Sequence, residues 1–240
     1  MDYLLLLSSI LFGALSVFLF RLYEPKHVKL LNAFTGAYLL TLTFLHLLPE
    51  LYHSGGAAAG GGAELRFGML ILAGFFTQVA LDVISLGVEH GHAHHLHGRL
   101  PAGVLAGLCL HALVEAMALG NAGTHYDPAS RQLLLYSIVL HNYPVSIALL
   151  GMLLQSGMKP SRALAWLAVF AFMAPLGMSL SAHTFLAADT RELTAFVIGI
   201  FMHISTTILF ESSEIHRFNL TKLVAIVVGT ALGFLSLMLH

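Results

Sequence analysis

Two histidines lie deep inside apolar stretches of this sequence, where an ionisable ring is costly. His111 is followed one helical turn later by an acid, in His111-Ala-Leu-Val-Glu115, and His141 stands in His141-Asn-Tyr-Pro144. Side chains at i and i+4 share one face of a helix. Imidazole and carboxylate are first-choice ligands for a borderline divalent cation. Ionisable groups at bilayer depth are rare and by default functional. The pattern reads as a divalent metal held inside a membrane.

The remaining residues supply that membrane setting. Of 240 residues 58% are hydrophobic and 10% charged, with a mean hydropathy of +0.84. A soluble domain carries about 25% charged residues. The net charge of −1 gives no reason to expect nucleic acid as a partner. The single cysteine, Cys109, excludes an intramolecular disulfide and lies two residues from His111, on roughly the opposite helix face, where it reads as packing. The start, Met1-Asp2-Tyr3, lacks a basic segment and runs straight into an apolar stretch, which reads as a first span and not as a cleaved signal peptide.

Hydropathy predicts an all-α membrane protein with eight spans, roughly 3–22, 30–49, 66–88, 102–120, 133–154, 161–183, 193–211 and 220–239, in one transmembrane domain over 1–240. Connections are short. The longest are a Gly/Ala-rich piece from Gly55 to Ala63 and a His-rich stretch at about 89–99 with His90, His92, His94, His95 and His97. One set of loops holds Arg21, Lys26, Lys29, Arg99, Lys159, Arg162, Arg217 and Lys222; the other holds Arg66, Arg131 and Arg191. The positive-inside rule puts the richer set in the cytoplasm, with both termini outside and the His-rich loop inside. Span 2 ends in Phe44-Leu-His46-Leu-Leu-Pro-Glu50 and span 7 in Leu209-Phe-Glu211-Ser-Ser-Glu214, on opposite sides. That fits an inverted repeat around central spans 4 and 5, a transporter plan.

Spans 4 and 5 run antiparallel, so His111 and His141 meet near the bilayer centre. Glu115 lies one turn, about 6 Å, further along the His111 face. Ser137 reaches a similar level from span 5, and Asn142 adds an amide oxygen beside His141. Pro144 removes a backbone donor and is expected to open span 5 locally, baring carbonyl oxygens near the metal. Auxiliary positions are His46 and Glu50, an i, i+4 pair that lines an entrance or anchors a helix end. Asp82 needs a partner, either a hydroxyl or histidine or an ion. His203 reads as structural, beside Ser205 and Thr206. The loop histidines suit transient chelation.

Taken together, the residues resemble the ZIP (Zrt-, Irt-like) family of divalent metal transporters over nearly the whole length. Gly36 and Phe44-Leu-His46-Leu-Leu-Pro-Glu50 are similar to the family's second helix. His111-Ala-Leu-Val-Glu115-Ala-Met-Ala-Leu-Gly120 resembles its fourth, with pattern His-Asn-x-Pro-Glu-Gly. His141-Asn-Tyr-Pro144 resembles its fifth, with pattern His-x-x-Pro-Glu-Gly, and Ala174-Pro175 stands where the sixth often has Glu-Pro. Ala112, Val114, Val145 and Ala174 depart from the pattern. Many family members hold two metals bridged by glutamates; without those carboxylates the resemblance implies one site, His111, Glu115 and His141, completed by Asn142 or water.

The expectation is therefore a transporter, not an enzyme. It would carry Zn²⁺ into the cytoplasm across the cell membrane, with Fe²⁺, Co²⁺, Ni²⁺ and Cu²⁺ open as alternatives. Metal would enter near His46 and Glu50, pass the central site and reach the loop histidines. Alternating access by one helix group moving against another is implied by the resemblance. The partners are the cation and the lipid bilayer, with a homodimer as the candidate assembly. No GxxxxGK[ST] motif supports ATP coupling. Two rivals stand: an intramembrane zinc-dependent lipid hydrolase, in which Glu115 or Ser137 would serve chemistry, and a non-transporting metal-sensing relative.

Overall fold

In lipid every backbone N–H and C=O must be bonded within the protein, and apolar stretches of about 20 residues meet that demand as helices, whose bonds all fall within the segment. The computed structural model describes residues 1–20, 24–53, 62–85, 102–120, 128–183, 190–211 and 220–238, and its regular elements are all helical. They are α1 (Asp2–Phe20), α2 (Pro25–Leu42), α3 (Leu48–His53), α4 (Gly62–Ser85), α5 (Ala102–Gly120), α6 (Pro128–Gln155), α7 (Pro160–His183), α8 (Thr190–Glu211) and α9 (Leu220–Met238). A π-helical turn, Thr43–Leu47, joins α2 to α3 into one rod. Among the described residues seven of the resulting spans are long and apolar enough to cross a membrane, and α5 contributes a shorter apolar helix, Leu105–Gly120.

Local chemistry explains the ends. Pro25 opens α2 behind Glu24, whose extended backbone precedes the helix. Lys26 lies 3.0 Å from the Glu24 carboxylate and holds it below the usual carboxylate range. Gly157, at φ 82°, ends α6 with Met158 N–H donating to Leu153 O at 3.3 Å, and Pro160 then starts α7. Lys222 Nζ donates to Leu209 O at 3.0 Å, capping the far end of α8 with a cation.

Two backbone features differ from expectation. α6 runs unbroken through Pro144, so the local opening expected there does not occur. One lost bond does not part a helix that is buried over most of its length. The irregular backbone lies instead in the α2–α3 rod, where Leu48 N–H bonds Thr43 O across five residues. It immediately precedes Pro49, whose ring in a regular helix would meet the Leu45 carbonyl.

The helices pack as two groups. α5 lies on α7 and α1 on α6; α4 lies on α8 and α2 on α9. Further contacts, α1–α7 and α6–α7 in the first group and α2–α8 in the second, complete each set. Contacts α4–α5, α2–α6 and α5–α8 join the groups. Lipid offers no hydrophobic drive between helices, so close approach by small residues must supply the packing. At Gly199 a side chain would run into Ile71 O, and at Gly74 into Phe196 O, so α4 and α8 touch backbone to backbone. Gly177 meets Leu113 O, and Gly120 meets Met178 O, in the same way between α7 and α5. Ion pairs fix helix direction: Asp2 with Arg131 at 2.6 Å joins the starts of α1 and α6, and Arg66 with Glu192 joins those of α4 and α8. Each pair therefore runs parallel, as alternating spans require.

Candidate metal site

α5 and α6 bring His111 and His141 together with their rings edge to face, centroids 5.6 Å apart. Glu115 follows one turn after His111 on the same face, with Oε2 3.6 Å from His111 Nε2. One ligand atom from each of His111, Glu115 and His141 lies within 4.8 Å of the others, and all three side chains are buried. Among the described residues this is the one such grouping of three His, Cys, Asp or Glu. Tetrahedral zinc with bonds of about 2.0–2.2 Å sets its ligand atoms about 3.3–3.6 Å apart. The His111–Glu115 distance already matches, and the widest separation closes with a side-chain shift of about 1 Å.

Asn142 follows His141 in α6, is fully buried, and its amide has no hydrogen-bond partner among the described residues. A buried amide without a bond is costly, so a metal contact through Oδ1 would offset its burial. Ser137 is also buried, and its hydroxyl donates to Leu133 O on its own helix at 2.7 Å. Ala112, Val145 and Ala174, where the two-metal pattern has polar or acidic residues, are buried among apolar neighbours. Cys109 is only half-buried and belongs to the apolar packing.

The auxiliary residues divide. His46 Nε2 lies 3.5 Å from Glu50 Oε2, both partly buried, on the π turn and the first turn of α3. His203 bonds Asp82 through Nε2 and Oδ2 at 2.5 Å, and packs its ring edge-on against Phe75 with centroids 4.9 Å apart. Asp82 thus takes a histidine as its partner. Thr206 bonds Met202 O and His203 O on its own helix, Ser205 bonds Phe201 O, and the hydroxyl 3.4 Å from His203 Nε2 is that of Thr207. His90, His92, His94, His95 and His97 lie outside the described residues.

One residue of the site is not visible in the ligand pattern. Gln78 on α4 is fully buried, and its Oε1 lies 3.0 Å from His111 Nδ1. Its Nε2 donates to Asp82 Oδ1 at 3.1 Å. The i, i+4 spacing of Gln78 and Asp82 in an apolar span was the signal that could have found it.

Residues 95–238 match the family ZIP Zinc transporter. The chain is 26% identical over 151 residues to Zinc transporter ZIP9 of Micropogonias undulatus, covering 58% of this chain and 49% of that protein. It is 24% identical over 152 residues to Zinc transporter ZIP9-B of Xenopus laevis, 58% and 50% of the two chains. Zinc transporter ZIP9 of Macaca fascicularis is 26% identical over 110 residues, 42% and 46%. The chain spans about half the length of the curated relatives it matches. The matched stretch includes α5 through α9 and with them both histidines and Glu115. The chain belongs to the ZIP zinc transporter family.

Proposed function

We propose that this protein carries Zn²⁺ into the cytoplasm through a single intramembrane site made by His111, Glu115 and His141, with Asn142 or water as fourth ligand. The observation that carries the reading is the buried three-ligand cluster between α5 and α6. Two imidazoles and one carboxylate suit zinc better than Mn²⁺ or Mg²⁺, with Fe²⁺, Co²⁺, Ni²⁺ and Cu²⁺ as competitors. One carboxylate leaves a bound dication with a residual positive charge in a low-dielectric setting, which favours release over storage. The relatives' name, zinc transporter, supports transport over the hydrolase reading.

The proposed orientation puts both termini outside, from the Lys and Arg excess in the loops after the odd-numbered spans. His46 and Glu50 then stand at the outer end, and the His-rich loop receives metal inside. Helix pairing supports an inverted repeat. Exchanging the first three spans with the last three, and α5 with α6, turns the α5–α7 pair into α6–α1 and the α4–α8 pair into α9–α2. Purified protein in liposomes tests the function. Wild type takes up Zn²⁺ and His111→Ala does not. Equal uptake by both refutes the site, and lipid turnover without metal uptake refutes transport.

A further inference from the structure

The metal-ligating histidine is held from the other helix group. His111 belongs to α5, in the group with α1, α6 and α7, whereas Gln78 and Asp82 lie on α4 and His203 on α8. The hydrogen-bond roles along this chain follow from elementary chemistry. A carboxylate only accepts, so the Gln78 atom 3.1 Å from Asp82 Oδ1 is the amide nitrogen. The amide oxygen therefore faces His111, and an amide oxygen also only accepts, so His111 Nδ1 carries a hydrogen. In a neutral ring that leaves the lone pair on Nε2, the atom 3.6 Å from the Glu115 carboxylate. Asp82 is itself fixed by His203 at 2.5 Å, and the His203 ring packs perpendicular to that of Phe75.

We infer that Gln78 is a positioning residue for the metal site: it selects the His111 tautomer that presents Nε2 to the cation and fixes the plane of the ring. Asp82, braced by His203, orients the Gln78 amide. The inference rests on the metal reading above. Gln78, Asp82 and the residues that fix them gain a role, although Gln78 and Asp82 precede the stretch that matches the family. A ligand's outer hydrogen-bond partner sets its tautomer and basicity, and losing such a partner costs about 10–100-fold in metal affinity.

The test uses the full chain in detergent micelles with Zn²⁺ as the only probe, for wild type, Q78L, Q78E/D82N and H111A. Zn²⁺ affinity is read by competition with a chelating dye. The ring nitrogens of metal-free protein labelled with ¹⁵N-histidine are read by NMR, where the signals missing from H111A assign His111. Wild type shows one His111 tautomer, with the hydrogen on Nδ1. Q78L, matched in size but without the acceptor, mixes the tautomers and loses about 10–100-fold in affinity. Q78E/D82N keeps an acceptor toward His111 and reverses the donor and acceptor between positions 78 and 82, since the new amide at 82 donates to the carboxylate at 78, and it holds affinity within about threefold of wild type. Wild-type affinity in Q78L, with H111A impaired, overturns the role of Gln78. So does a wild-type His111 carrying its hydrogen on Nε2, which needs no variant to fold. Unchanged affinity in H111A overturns the metal site itself, a distinct result.

Discussion

Glu115→Gln separates the cost of a buried carboxylate from its use. Glu115 is fully buried, and it is the one acidic member of the three-ligand cluster. Glutamine keeps the volume and one oxygen but removes the charge. With Zn²⁺ bound, carboxylate and cation form a buried ion pair, and deleting one partner of such a pair costs about 3–5 kcal/mol. At about 1.4 kcal/mol per decade that is a loss of about 10²–10⁴-fold in affinity. Without metal the sign reverses, because a neutral amide is cheaper to bury than a carboxylate. Thermal unfolding with and without Zn²⁺ reads both effects. At a free concentration of about 100 times Kd, zinc adds about 2.7 kcal/mol to wild type, which for a chain of this size moves Tm by about 5–11 °C. E115Q should melt at or above wild type without zinc and shift by at most about 2 °C at the same zinc concentration. A wild-type shift in E115Q, or a large drop in its metal-free Tm, refutes the reasoning.

Other outcomes follow from the same geometry. Zn²⁺ affinity falls as pH is lowered, because His111 and His141 must be neutral to ligate; proton release on binding, measured by calorimetry in two buffers, checks this, and a pH-independent affinity contradicts it. Gly199→Val drives a side chain into Ile71 O between α4 and α8, and should cost about 1–3 kcal/mol in stability, read by thermal unfolding. Cys109→Ser leaves Zn²⁺ affinity within about twofold, since its sulfur is outside the cluster. Arg131→Ala breaks the pair with Asp2 and should cost at most about 1 kcal/mol, because both side chains are partly solvated.

The cluster of His111, Glu115 and His141 was legible because its members are conspicuous. An imidazole at mid-span stands out against apolar neighbours, the spacing of His111 and Glu115 fixes a shared face, and a short connection makes spans 4 and 5 antiparallel. The spans themselves follow from hydropathy, with ends that the helices extend by up to five residues, as at Pro25 and Pro128. Partners across helices were not legible. His203 and Asp82 are 121 residues apart, and only the packing of α4 on α8 brings them together. Gln78 offers both a donor and an acceptor, so its residue type alone selects no partner. The effect of Pro144 was misjudged for a related reason. Sequence marks where a backbone bond is lost, but packing decides which helix bends: α6 stays regular through Pro144, while the turn before Pro49 widens.

The central claim is one zinc, held by two imidazoles and one carboxylate between α5 and α6. X-ray absorption at the zinc edge tests it most directly, on protein in which His90, His92, His94, His95 and His97 are changed to alanine so that the loop contributes nothing. The account predicts one zinc per chain, four nitrogen or oxygen neighbours at about 2.0–2.2 Å, two of them imidazole, and no zinc–zinc scattering. Two zinc ions per chain with a metal–metal distance, or a spectrum without imidazole, would contradict it.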